Sequence, residues 1–181
     1  MKFINIVGTT ASGKTTFSRQ LAQKLDLSHI EMDDLFWLDN WQETPDDQFF
    51  LKLQSQMNAA DEGWVLDGNY SRTLPLKLAK LDTIIWLDYS FRLNFYRSVK
   101  RAISRAMSQK PLWKSSNNHE TFRRSFLSKD SMILWMINHH AKNRQKYLKM
   151  MHDPQYQHLQ FIRIASPKQA AEFLQKIKSV P

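Results

Sequence analysis

Residues 8–16 read GTTASGKTT, lying between the apolar run FINIV and the stretch FSRQLAQKL. Phe17, Leu21 and Leu25 recur at helical spacing in that stretch, so the loop joins a strand to an amphipathic helix. The spacing G-x-x-x-x-G-K-[ST] is that of the phosphate-binding loop, which folds only where a parallel strand feeds a helix. Backbone N–H groups across Gly8, Thr9, Thr10, Ala11, Ser12, Gly13, Lys14, Thr15 and Thr16 are then expected to wrap a β-phosphate. Lys14 would reach the β- and γ-phosphates, and the Thr15 hydroxyl would take Mg²⁺. The chain has only four glycines, and two of them, Gly8 and Gly13, stand in this loop. In a chain that otherwise avoids glycine, those positions mark backbone that needs positive φ or close approach to a ligand.

The remaining elements follow from period and punctuation. After the first strand (3–7), SHIEMD (28–33), WVLD (64–67), TIIWLD (83–88) and LQFIRI (159–164) read as strands. Thr44 as N-cap, Pro45 at the first helical position and Asp47 in a capping-box position open a helix with Phe49, Leu53, Met57 and Ala60 on one face. Long helices are expected from about 91 to 108 and 129 to 150, and a last one opens with Ser166 as N-cap and Pro167 as first residue. Near-continuous apolar strands alternating with helices specify an α/β fold with a parallel sheet covered on both faces. Residues 1–181 read as one domain, without repeats or a low-complexity linker. Pro, Ser and Asn break every period between 108 and 130, which reads as a surface loop or small mobile insertion.

Composition narrows the chemistry. The absence of cysteine excludes disulfides, thiolate metal sites and cysteine nucleophiles. MKFINIV runs straight into the first strand and no apolar run is long enough to span a bilayer, so a soluble cytoplasmic protein without membrane partners is expected. His139 and His140 read as surface or packing residues. The net charge of +9 is unevenly placed: residues 92–149 carry fourteen Lys and Arg against Glu120 and Asp130. Arg97, Arg101 and Arg105 fall at i, i+4 and i+8 of one helix, a row of like charges that destabilises an isolated helix and suggests an anionic partner such as a phosphate.

Two further loops bear candidate chemistry. DGNYSRT (67–73) follows the third strand, where Asp67 would hold a Mg²⁺-bound water and Gly68 would let the backbone approach a substrate, unless the pair is simply a polar turn. In EMDDLFW (31–37), Asp33 and Asp34 close the second strand at the same sheet edge. One is a candidate general base toward an acceptor hydroxyl or a second-layer Mg²⁺ ligand; the alternative is the N-cap of a short helix. Phe36, Trp37 and Trp41 either line an acceptor pocket or belong to the core.

The glycine loop, DGNYSRT and the arginine-bearing helix together resemble the adenylate kinase-like group of P-loop kinases. Asp67, Gly68 and, one residue displaced, Arg72 match that group's Asp-Gly-Phe-Pro-Arg stretch, while Asp88, Arg97 and Arg101 match its spacing after the fourth strand. MDDLFW, W-x-E-T-P and WVLDGNYSRT are similar, over most of the chain, to small bacterial P-loop proteins called FlaR-related or DNA topology modulation proteins. The resemblance implies a five-stranded parallel sheet in the order 2-3-1-4-5, a lid in the 108–130 segment, Arg97 on the nucleotide base and Arg101 on the transferred phosphate. Lys114, Arg123, Arg124 and, on the following helix, Arg144 are the lid-side candidates, and Asp33, Asp34, Phe36, Gly68, Asn69 and Arg72 the acceptor-side ones. Two departures matter: Phe36 stands where adenylate kinases hold the acceptor monophosphate with an arginine, and Ala11 replaces a loop glycine, as in uridine kinases.

These residues together read as an ATP- and Mg²⁺-dependent kinase acting on a small molecule of the nucleoside, nucleotide or related metabolite class, with Lys14, Asp33, Asp67 and Arg101 as the reacting set and Thr15 and Asp67 at the metal. The alternative is a nucleotide-switched, nucleic-acid-binding ATPase that uses the basic segment as its footprint. The two differ in where the basic side chains converge, inward on the loop for a kinase and over an outer face for a nucleic-acid binder.

Overall fold

The computed structural model describes residues 1–108, 110–128 and 131–177; Gln109, Lys129 and Asp130, inside the 108–130 segment, lie outside them, and with them the expected start of a helix at 129. Five strands, β1 (Phe3–Gly8), β2 (Ser28–Glu31), β3 (Trp64–Asp67), β4 (Thr83–Leu87) and β5 (Gln160–Ile164), form one sheet in the order β2-β3-β1-β4-β5. All the pairings are parallel. Side chains alternate across β1: Ile4 and Ile6 pack with α1 (Lys14–Leu25) and α8 (Pro167–Lys176), while Val7 faces the layer of α3 (Asp46–Ala59) and α7 (Met132–His152). Each layer buries one stripe of its helices, including Phe17 and Leu21 of α1 and Phe49, Leu53 and Met57 of α3, which is the hydrophobic drive for the three-layer arrangement.

Register places the chemistry. Ile6 is level with Asp67, Asp67 with Glu31, and Gly8 with Leu87, so the loop after β1, Asp67 and the segment after β2 all emerge at one carboxyl edge. Parallel α/β sheets bind ligands at that edge, where the strand order reverses.

Two of the differences from the sequence reading have a tertiary cause. SHIEMD is strand only to Glu31; Met32–Phe36 turns into a short helix, α2, because Met32 and Phe36, four apart, both bury against the core. Thr44 is not an N-cap: its hydroxyl donates to the Leu35 carbonyl and its N–H to the Phe36 carbonyl, so Pro45 becomes the cap and α3 starts at Asp46. The tertiary bonds to α2 outcompete the capping box. By contrast Ser166 caps α8 as read, accepting from the Gln169 N–H, and α5 spans Phe91–Ser108.

Candidate functional site

The glycine loop is built by backbone geometry. Gly8 ends β1 at φ 153°, where a Cβ would stand 2.7 Å from the Leu87 carbonyl, so no other residue fits beside β4. Gly13 sits at φ 91° as the residue before α1 and leaves the first-turn N–H groups of that helix uncapped by any side chain. Those donors and the helix dipole make a site for an anion. Ala11 takes a left-handed φ of 60° without being glycine, a conformation that costs about 1–2 kcal/mol and that the loop imposes. The Ser12 hydroxyl is buried and has no partner among the described residues, a polar group left for a ligand. Lys14 folds back so that its ammonium donates to the carbonyls of Gly8 (3.0 Å) and Thr9 (3.2 Å). Burial pushes its pKa down, against the pull of Asp67 and Asp33 in the other direction.

Around this loop the structure gathers most of the sequence candidates. Asp67, 4% exposed at the end of β3, has its carboxyl pushed up to about 6 by burial, while Lys14 and a hydrogen bond from Thr15 favour the charged form. A carboxylate beside a hydroxyl is the pair a magnesium ion is commonly held by, with phosphate oxygens and waters completing the shell. No group of three His, Asp or Glu side chains fit to hold a metal occurs among the described residues; a shell of that kind does not require one. Asp33 accepts a 2.6 Å hydrogen bond from the Tyr70 hydroxyl, which burial keeps protonated as a donor. Neither Asp33 nor Asp34 caps α2, whose N-cap is Glu31.

The arginine row of α5 splits in function by position. Arg101 donates to the Thr10 hydroxyl at 3.2 Å, and Arg97 points at the Ser12 carbonyl at 3.5 Å with its guanidinium 5.6 Å from the Tyr89 ring centre. Burial and neighbouring Arg105 bring Arg101 down to about 10, which leaves it charged at neutral pH. Arg105 instead pairs with Glu120 at 3.1 Å. Arg144, read from sequence as a lid-side residue, pairs with Asp88 at 3.3 Å beside Arg163.

Several acceptor-side candidates have structural partners. Asn69 clamps the loop, accepting from the Gly8 N–H (2.9 Å) and donating to the Gly8 carbonyl (2.6 Å). Gly68, at φ 152°, leaves room for Met32. Phe36 is a core residue packed on Phe49 and Tyr70, and Arg72 lies over its face at 4.7 Å while pairing with Asp46 at 2.9 Å. Asp34 accepts from the Ser115 N–H (3.0 Å) and hydroxyl (2.9 Å), which ties the 108–130 segment to α2. The same segment brings Trp113 against Trp37 and Trp41 and stacks Arg124 over Trp41 at 4.1 Å. Lys114 and Arg123 are exposed.

No pattern in the sequence marks Lys77. It is fully buried, donates to Asn5 Oδ1 at 2.8 Å, and is brought down to about 7 by burial and then by Lys146. Asn5 in turn donates to the carbonyls of Leu66 and Gly68, so the two residues brace the strand ends under the loop.

A five-stranded parallel sheet in this order, with a glycine loop leading into a helix at its carboxyl edge, defines the chain as an α/β protein with the fold of P-loop kinases. No protein-family model matches the chain, and no curated protein sequence does. Among solved structures it is similar to an unliganded sugar kinase from Janibacter sp. HTCC2649, with a TM-score of 0.55 over 98% of this chain and 94% of that one. The identity is 14%, so the likeness is one of fold.

Proposed function

We propose that the protein is a phosphotransferase that moves the γ-phosphoryl group of Mg·ATP to a hydroxyl of a small molecule. The observation that carries this reading is the inward convergence of Lys14, Arg101 and Arg97 on one glycine loop, opposite two carboxylates, Asp33 and Asp67. A nucleic-acid footprint would spread its cations over an outer face, whereas Arg97 and Arg101 are turned to the loop and Arg105, Arg144 and Arg163 are paired with acids.

In this reading the loop amides and Lys14 hold the β- and γ-phosphates, and Thr15 and Asp67 hold the metal, which neutralises phosphate charge when bound. Arg101 stabilises charge on the equatorial oxygens of the group in transfer. Asp33, held by Tyr70, accepts the proton of the acceptor hydroxyl as it attacks the γ-phosphorus, and ADP leaves. The test is transfer of radiolabelled phosphate from ATP into fractionated cell metabolites. The expected result is one labelled class with the native chain and none with Lys14→Ala of unchanged circular dichroism; hydrolysis without any labelled acceptor would refute the reading.

A further inference from the structure

A cleft between the Asp39–Trp41 turn and residues 117–128 lies outside the set of groups used above. We propose that it is an oxyanion subsite, in which Arg123 and Arg124 hold the phosphate ester or carboxylate of the small hydroxylated acceptor; this rests on the phosphotransfer reading.

The cleft is preformed. Asn118, almost fully buried, accepts from the Trp41 N–H at 2.8 Å and donates to the Leu38 carbonyl at 2.7 Å, and the Asn117 N–H donates to Asp39 Oδ1 at 2.7 Å. These bonds join its two walls, so little ordering is left for a ligand to bring about. They also hold Asn40 and Trp41 at consecutive left-handed φ values of 57° and 61°. Two non-glycine residues in that region are strained, and a bulky tryptophan there is rare. The strain turns the Trp41 ring under the Arg124 guanidinium, with Trp113 and Trp37 against its other sides.

Among the described residues, no carboxylate stands at ion-pair distance from the two arginines of the cleft. Arg19, Arg72, Arg105, Arg144 and Arg163 are each paired with a carboxylate. Arg123 and Arg124 form no ion pair among the described residues, although both line this cleft. The acid present, Asp39, already accepts from the Asn117 amide. Two guanidinium forks, one fixed by stacking, match the oxygen pairs of a phosphate or carboxylate. On the acceptor side Phe36 is buried and Arg72 is engaged by Asp46, so neither is placed to take an anion. A line of bonded side chains runs from the wall of the cleft toward the loop. Its wall residue His119 precedes Glu120, which pairs with Arg105, one helical turn from Arg101 on Thr10. An acceptor anchored here by its anionic end would have to extend along that line of side chains to bring its hydroxyl to the loop.

The test uses the full chain with glycerol 3-phosphate, glycerate and neutral glycerol, followed by calorimetry and by tryptophan fluorescence. Trp41 lies under Arg124, so occupancy changes its emission. At least one charged probe is expected to bind and glycerol not. The double variant Arg123→Gln/Arg124→Gln should lose about tenfold or more of that affinity while Mg·ATP binding stays within about twofold. Lys14→Ala should show the opposite pattern. Failure of both charged probes at millimolar concentration, or equal binding by the double variant, overturns the subsite while leaving the phosphotransfer reading standing. A native chain that binds the probes but not Mg·ATP overturns the acceptor role instead. A short single-stranded DNA that binds through the same arginines more tightly than either probe also overturns it.

Discussion

Lys77 shows what a single residue can impose on this architecture. Its ammonium is buried, donates to Asn5 near Lys146, and is brought by burial down to about 7 from the usual 10.5. A base depressed by folding binds its proton more weakly in the native than in the unfolded chain, so native stability is lost as pH falls from 10.5 through about 7. Between those values this one group contributes a slope of up to about 1.4 kcal/mol per pH unit. Urea unfolding of the native chain and of Lys77→Met, at intervals from pH 6 to pH 10, should show native stability rising with pH and a flatter dependence in the variant. Parallel curves would mean that Lys77 keeps its proton in both states. Asn5, bonded to Lys77, loses a partner in the variant, so the slope and not the absolute stability is the informative quantity.

At the scale of elements, α5 sets three arginines on three different tasks because successive turns face different neighbours. Arg101 meets Thr10 on the loop, and its charge serves a phosphoryl group in flight more than a bound one, so Arg101→Ala should lower kcat by about 100-fold or more with little change in the KM for ATP. Arg97, lying over Tyr89 and near the Ser12 carbonyl, is placed to hold the nucleotide before and after reaction, so Arg97→Ala should mainly raise that KM. Steady-state kinetics on the labelled acceptor distinguishes the two, and equal effects of both variants on KM would remove the assignment. The sequence made the row visible through its i, i+4, i+8 spacing, and could not separate Arg105, whose partner Glu120 belongs to the adjoining segment. It likewise made DGNYSRT visible as a loop with Asn69 as an acceptor-side candidate, but did not show the contact Asn69 makes with the phosphate loop. The residue grips both polar atoms of the Gly8 backbone across 61 positions, a contact that only the β1–β3 pairing creates.

For the whole molecule, the sheet transmits one constraint from end to end. Gly63 leads into β3 at φ 135°, and a Cβ there would lie 2.3 Å from the Lys2 carbonyl, which accepts from the Trp64 N–H at the start of the β1–β3 pairing. Gly63→Ala should therefore destabilise the chain by about 2–4 kcal/mol, read from the thermal midpoint, although it lies at the sheet edge opposite the loop. A midpoint within a degree or two of the native one would show that the strand entry yields.

The sequence by itself determined the order of strands and helices, the parallel sheet and the loop with Lys14, because each depends on residues close together in the chain: apolar period, capping serine, paired glycines. It misplaced the end of β2 and the cap of α3, where bonds from Thr44 to α2 outweigh local preference. Only the tertiary structure decided that Phe36 belongs to the core, that Arg144 serves Asp88, that Lys77 is buried, and that Trp113 brings the 108–130 segment onto Trp37 and Trp41. The reason is physical. Those outcomes depend on which side chains from segments tens of residues apart share the same desolvated space, and no local periodicity encodes that choice.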